Sequence, residues 1–326
     1  MATKRDLPMS LCIAGSVLLV AVAACGGGSG EPTPPPPTSA VPTSITPKTP
    51  PPQPPISRAD YQKALSEVEA ALAPGFAAIG GAQTPTDLEG ALSAVALNLD
   101  IQADNLEKLK APQAVATPNL DLVAGMRALS NDLSTVAGDA GKQILCTGGS
   151  GLPRAVSGNG AHLFRLAVLG VATAEPDHPY AFGGFLPPGS PDQNRRPANG
   201  NLGGGRHGGY GQLTVEAGSG ADAVVKLMQG GELVRAIFVA EGGTATVTGI
   251  PNGTYEAFYT TGHDWDDANR RFTRDCEFDR FDDPLEFTTR SLPDSIEYTT
   301  WTLTLYTTAG GNAATSPVDP GTFPGS

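Results

Sequence analysis

The sequence predicts a multidomain α plus β protein: an antiparallel three-helix bundle followed by an all-β sandwich. Three observations predict it. Between residues 57 and 146, apolar side chains recur every three or four positions, as they do along one face of a helix. From 211 to 310 they recur every second position, with turn residues about every ten, the pattern of short strands. Glycine and proline, 41 and 30 of 326 residues, are concentrated in stretches outside these segments, which marks tethers.

The N-terminus comes first. Lys4 and Arg5 precede an apolar run from Leu11 to Ala24, about 14 residues long, against the roughly 20 that a helix needs to cross a bilayer. No basic flank follows it. A basic start, a short apolar run and small residues before a break make residues 1–24 a signal peptide. Val22-Ala23-Ala24-Cys25 resembles a bacterial lipobox. That resemblance implies a lipoprotein, with cleavage before Cys25 and fatty-acid (palmitate) chains carried on it. The chain would then sit at the extracytoplasmic face of the cell membrane, with membrane lipid as the partner of acylated Cys25. One acyl chain holds only marginally and a second makes the anchor stable. The alternative is ordinary cleavage near Ala24, leaving a free thiol.

Residues 25–56 are a Gly/Pro-rich disordered tether. Proline favours an extended backbone and glycine supplies joints, so residues 33–56 reach about 75 Å at ~3.1 Å per residue.

In 57–146, Tyr61, Leu65, Val68, Leu72 and Phe76 form the first stripe, with Ser57 and Asp60 placed as a cap. Leu88, Leu92, Val95, Leu99, Leu106 and Leu109 form the second, after Thr84 and Pro85. Leu122, Met126, Leu129, Leu133, Val136 and Ala140 form the third, after Thr117-Pro118. Short linkers favour antiparallel neighbours; pairing of the same stripes as a dimeric coiled coil is the alternative.

Cys12 leaves with the signal and Cys25 takes lipid, so Cys146 and Cys276 remain. An even remainder in an oxidising compartment predicts one disulfide, joining the helical segment to the β segment. Residues 147–210 read as a Gly/Pro-rich linker, partly disordered. Its one apolar cluster, Leu163 to Val171, is expected as a strand or short helix docked on the β module.

Over 211–310 the pattern predicts about seven strands, with Lys226 pointing outward, and 311–326 a flexible tail. "VTGIPNGTYEAFY" resembles the turn and strand of secreted prealbumin-like and immunoglobulin-like modules. "DAVVKL", "GHDWDDANRRF" and "FDDPLEF" resemble an uncharacterised β domain of exported actinobacterial proteins. Both resemblances imply a sandwich, and neither implies an activity.

Residues 261–284 read as an insertion between strands, rich in Asp and Arg. Asp264, Asp266 and Asp267 are its candidate calcium ligands, because hard cations take clustered carboxylates. Against the twelve-residue calcium loop, Ala268 and Asn269 stand at the wrong places, and Arg270 and Arg271 repel the ion. The simpler expectation is a loop tied by Asp–Arg pairs, with Trp265 and Phe272 in the core.

A formal net charge of −12 argues against a nucleic-acid surface, which needs basic clusters. The four histidines are dispersed, and neither a His-Glu-x-x-His nor a Gly-x-Ser-x-Gly motif occurs. No cofactor is expected, and no enzyme. The leading expectation is a structural or protein-binding surface lipoprotein, with another cell-envelope protein or peptidoglycan as partner. The runner-up is a glycan-binding module using Trp265, Tyr255 or Tyr259 for stacking. The third is a hydrolase with spatially assembled carboxylates.

Overall fold

The computed structural model describes residues 54–189, 191–205, 207–306 and 314–324. The signal peptide over 1–24, the acylation site at Cys25 and the tether up to residue 53 lie outside the described residues.

Five helices, not three, precede the strands among the described residues: α1 (Arg58–Gly81), α2 (Pro85–Lys108), α3 (Ala116–Gly141), α4 (Gly148–Ser157) and α5 (Asn159–Thr173). The three expected helices form for the expected reasons. Ser57 Oγ accepts from the Asp60 N–H at the start of α1, and Thr84 Oγ1 accepts from the Asp87 N–H at the start of α2. Each satisfies one of the backbone donors a helix start leaves unpaired. Tyr61, Leu65, Val68, Leu72 and Phe76 are all buried, as are Leu122, Met126, Leu129, Leu133 and Val136 of α3. Thr117 does not cap α3; a short 3₁₀ turn, Gln113–Val115, leads in instead, and the helix starts one residue before Thr117.

The two further helices overturn both the three-helix bundle and the linker expected over 147–210. α5 lies along α3, not on the strands. Gly160 permits that approach: a Cβ there would strike the Ala128 carbonyl group and the Leu129 nitrogen. The glycine is a contact between two backbones, where its sequence neighbourhood suggests a loop. Beyond α5 the chain folds back on the helices. Tyr180 sets its ring edge-on to Tyr61 at 5.3 Å, and Phe185 packs between Phe76 and Phe164 at 5.3 and 5.5 Å.

Among the described residues twelve strands follow: β1 (Gly200–Gly203), β2 (Gly211–Glu216), β3 (Asp222–Gln229), β4 (Glu232–Val239), β5 (Thr244–Ile250), β6 (Gly253–Asp266), β7 (Arg271–Phe281), β8 (Leu285–Phe287), β9 (Thr289–Ser291), β10 (Ile296–Tyr298), β11 (Thr300–Thr304) and β12 (Thr315–Pro317). The large sheet runs β1-β4-β3-β6-β7-β12, with β8 also paired to β6; the small sheet runs β11-β2-β5; β9 and β10 form a separate hairpin. Every pair is antiparallel except β11 with β2. The sheets face each other across a shared core that includes Leu213, Val215, Val225, Ile237, Tyr255 and Leu303. This is a sandwich-like arrangement.

The large sheet is covered on its second face as well. Val224, Phe238, Trp265, Phe272 and Phe278 gather there with Cys146, from the helical side, and Phe323, from the C-terminus. A strand buried on both faces is apolar at consecutive positions, not alternate ones, and β3 is buried from Asp222 through Met228. Lys226 therefore does not point outward. It is 2 % exposed, with Nζ donating to the Pro324 carbonyl at 2.9 Å and lying 4.9 Å from the Phe323 ring centre. Two other expectations change with it. Residues 261–284 are mostly β6 and β7, extended around a tight turn at 267–270, and not an insertion loop. The expected flexible tail holds β12, paired to β7, and the buried Phe323.

Candidate functional site

Three places bring polar or aromatic groups together: the junction of helices and sheet, a groove beside β6 and β7, and an aromatic face at the β9–β10 hairpin.

At the junction, Gln143 has a positive φ of 61° and turns the chain out of α3 towards β7. Cys146 N–H donates to Thr273 O at 2.8 Å, Asp275 N–H to Ile144 O at 3.1 Å and Cys276 N–H to Gln143 O at 3.3 Å. The Cys146–Cys276 disulfide closes this seam, with Cα atoms 6.4 Å apart and 130 residues between them in sequence. A loop of that length is worth about 5 kcal/mol in the chain-entropy account, near the top of what disulfides contribute.

Asp264 is the polar centre of the seam. Its side chain has no exposed area. Arg195 grips it with both nitrogens of its fork: Nε donates to Oδ1 and Nη2 to Oδ2, each at 2.8 Å. The Arg195 N–H adds a bond to Oδ1 at 2.9 Å, and Thr273 Oγ1 donates to Oδ2 at 2.7 Å. Ser150 of α4 meets Thr273 at 2.7 Å, so the network reaches the helices. Burial alone raises the Asp264 pKa, but the Arg195 guanidinium and N–H and the Thr273 hydroxyl outweigh it and hold the group down at about 2. Bonds to the ionised form outrun desolvation here.

The three candidate calcium ligands are all engaged within the fold. Both Asp264 oxygens are taken, and the positive charge beside them is Arg195. Asp266 Oδ1 accepts from the Ala268 and Asn269 N–H groups, and its Oδ2 from the Asn269 side chain at 2.9 Å. Asp267 accepts from the Trp265 ring N–H at 3.4 Å. The three carboxylates thus build a turn and a clasp. Among the described residues no group of three or more His, Cys, Asp or Glu side chains is placed to hold a metal ion.

The groove, about 360 Å³, is lined by Thr261, His263, Asp275, Glu277 and Leu305 and by the 217–221 turn. The β6–β7 register shifts between Thr261 and His263, a bulge of the kind that re-aims side chains. Asp275 and Glu277 sit two apart on β7, hence on one side, roughly 7 Å apart along the strand. Both are solvent-exposed.

The expected stacking residues are placed elsewhere than a binding face. Trp265 is 2 % exposed and packs on Phe272 at 5.1 Å. Tyr255 is fully buried, its ring against Phe287 and its hydroxyl donating to Pro251 O at 2.9 Å. Tyr259 is half-buried against Phe281 at 5.3 Å. Trp265 and Tyr255 are core residues, and Tyr259 borders the core. Comparison with protein-family models, curated proteins and solved structures finds no match. The site must be read from its own residues.

Four aromatic side chains are exposed among the described residues: Tyr210, Tyr298, Trp301 and Tyr306. Two of them meet. The Tyr210 and Tyr298 rings lie 6.4 Å apart, centre to centre, at an interplanar angle of 29°. Tyr298 is on β10, whose hairpin with β9 contributes no residue to either core. Tyr210 is brought beside it by Gly209, whose N–H donates to Gly249 O at 3.3 Å. Trp301 is tied away by its ring N–H, which donates to Glu286 O at 2.9 Å. "SIEYTTW" holds the sequence signal, an alternation with its apolar members on the solvent side, but alternation does not say which side is wet.

Proposed function

We propose that this chain is an exported lipoprotein held at the extracytoplasmic face of the cell membrane by acyl chains on Cys25, with a structural or protein-binding role and no catalytic activity. The observation that carries the reading is the Cys146–Cys276 disulfide, since such bonds persist where the surroundings are oxidising. The lipobox resemblance at Val22 to Cys25 and the acidic balance of the chain support it. The helices and sheets are joined by a covalent bond, backbone pairing and the Asp264 network. That suits a rigid body presented on a tether better than two parts that close on a substrate.

Fractionation of a bacterial host expressing the full chain tests this, with intact-mass analysis of the product. The expected species is membrane-bound, begins at Cys25 and carries fatty-acid mass, while Cys25→Ala is released. A product that keeps its first 24 residues, or a Cys25→Ala variant that fractionates like the native chain, overturns the proposal. Crosslinking of intact cells then tests the protein-binding role: a specific envelope protein captured by the native chain is expected, and recovery of the uncrosslinked chain alone argues against it.

A further inference from the structure

We propose that Tyr210 and Tyr298 form a binding platform for an uncharged, extended oligosaccharide. The proposal does not depend on Cys25 or on the lipid anchor.

Four observations place the chemistry. The two tyrosines are 53 % and 46 % exposed. At 6.4 Å and 29° the rings are too far apart to overlap face to face, so each keeps ring surface open to solvent. An aromatic ring face is apolar with a negative quadrupole, and Tyr adds a polar rim. That matches a pyranose, which offers C–H bonds on its faces and hydroxyls at its edge.

The border of the platform is uncharged and polar. Thr289 pairs directly with Tyr298, and Ser291 with Ile296, so these four side chains share one face of the hairpin. Thr289 Oγ1 donates to Asn252 Oδ1 at 2.7 Å, which fixes the amide and leaves its two N–H donors on the exposed side chain for a ligand. The charged pair of the hairpin, Arg290 and Glu297, falls at the intervening register position and so on the opposite face.

The occupant follows from these features. The hairpin turns its own charged pair to the other face, and a nucleic acid would meet a chain of net charge −12. A purely apolar ligand would strand the Thr289–Asn252 pair without gain. Two ring faces bordered by hydroxyls and an amide satisfy a sugar chain on both counts. The hairpin itself is a reason to expect a ligand: two strands alone are marginal in water, and Ile296 and Tyr298 remain exposed on it, with Tyr210 alongside.

Affinity electrophoresis of the folded protein in gels containing neutral polysaccharides tests the proposal, followed by calorimetric titration with cellohexaose, chitohexaose, xylohexaose and mannohexaose. Binding to at least one is expected. Tyr210→Ala and Tyr298→Ala should each weaken it by about tenfold, the scale of one aromatic contact, and the double variant should abolish it. Tyr306→Ala serves as control, because Tyr306 is exposed but lies beside Gly218 and Glu216, at the other end of β2. Circular dichroism and the unfolding midpoint must match the native chain for a loss to count; Tyr→Phe at both positions, which keeps the rings, should retain most of the binding and so separates stacking from misfolding. No binding to any of the four sugars by the native chain overturns the proposal. So does binding that survives in the double variant. A concentration-dependent dimer that the double variant loses, without sugar binding, would assign the face to a protein contact instead.

Discussion

Replacing Asp264 by Asn changes one charge and almost no volume, and the cost follows from its surroundings. Asp264 has a positive φ of 58°, a conformation Asn tolerates at least as well, so the backbone stays in place. What is lost is the ionised acceptor. Asn keeps one oxygen for the Arg195 and Thr273 donors but turns an NH₂ group towards the rest, setting donor against donor. The folded carboxyl titrates at about 2 and the unfolded one near 3.9, a difference worth about 2.5 kcal/mol at neutral pH. Leaving the half-exposed Arg195 guanidinium partly unanswered against the buried site raises the total to about 3–4 kcal/mol. The sign can be checked by pH. A carboxyl whose folded pKa is depressed stabilises fully above the unfolded pKa, and its contribution fades as pH falls towards the folded one. The gap between native chain and variant should therefore be widest at pH 7, fall to about half its charge-dependent part by pH 3, and nearly close near pH 2. Urea unfolding followed by tryptophan fluorescence measures it, since Trp265 is adjacent and buried. A gap below about 1 kcal/mol at pH 7, or one equally large at pH 7 and pH 3, would refute the account of the seam.

Four more perturbations test the fold. Reducing Cys146–Cys276 should lower the unfolding free energy by about 2–5 kcal/mol; an unchanged urea midpoint with and without reductant would show that the seam holds without it. Gly160→Ala should destabilise by about 1–3 kcal/mol because its methyl meets backbone. Gly170→Ala, in the same helix with nothing within 4 Å of the new methyl, should stabilise by about 0.5–1 kcal/mol; calorimetric midpoints moving in the same direction would discard the crossing geometry. Thr84→Ala should cost about 1 kcal/mol by leaving the Asp87 N–H without its side-chain acceptor, read from the shift in thermal midpoint.

The parts of the fold legible in the sequence are those where one side of an element is wet. α1, α2 and α3 show their stripes because their outer faces are polar, and β5 alternates for the same reason, with Ala245, Val247 and Ile250 inside. β3 was harder, because covering on both faces erases alternation and even takes in Lys226. The last two helices were illegible for a different reason. Gly148, Gly151 and Gly160 look like linker residues, yet a side chain on any of them would collide with α1, α2 or α3. The lesson is local: glycine in a helix can mean that two backbones touch. Among the functional groups, the cysteine pair yielded to arithmetic, and the burial of Trp265 and Phe272 was expected. Tyr255 and Tyr298 both follow β-like text, and only the placement of their strands, one in the sandwich and one outside it, separates a core ring from an exposed one.

The position of Phe323 bears on the order of assembly. Its ring sits 5.2 Å from Phe278 and 6.1 Å from Phe258, plugging the outer layer of the large sheet after β12. Synthesis proceeds from the N-terminus, so this layer stays unfinished until Phe323 is delivered. Cys146 and Cys276 emerge well before then, and their bond can hold helices and sheet together while the plug is awaited. Removing Phe323 would therefore open a core.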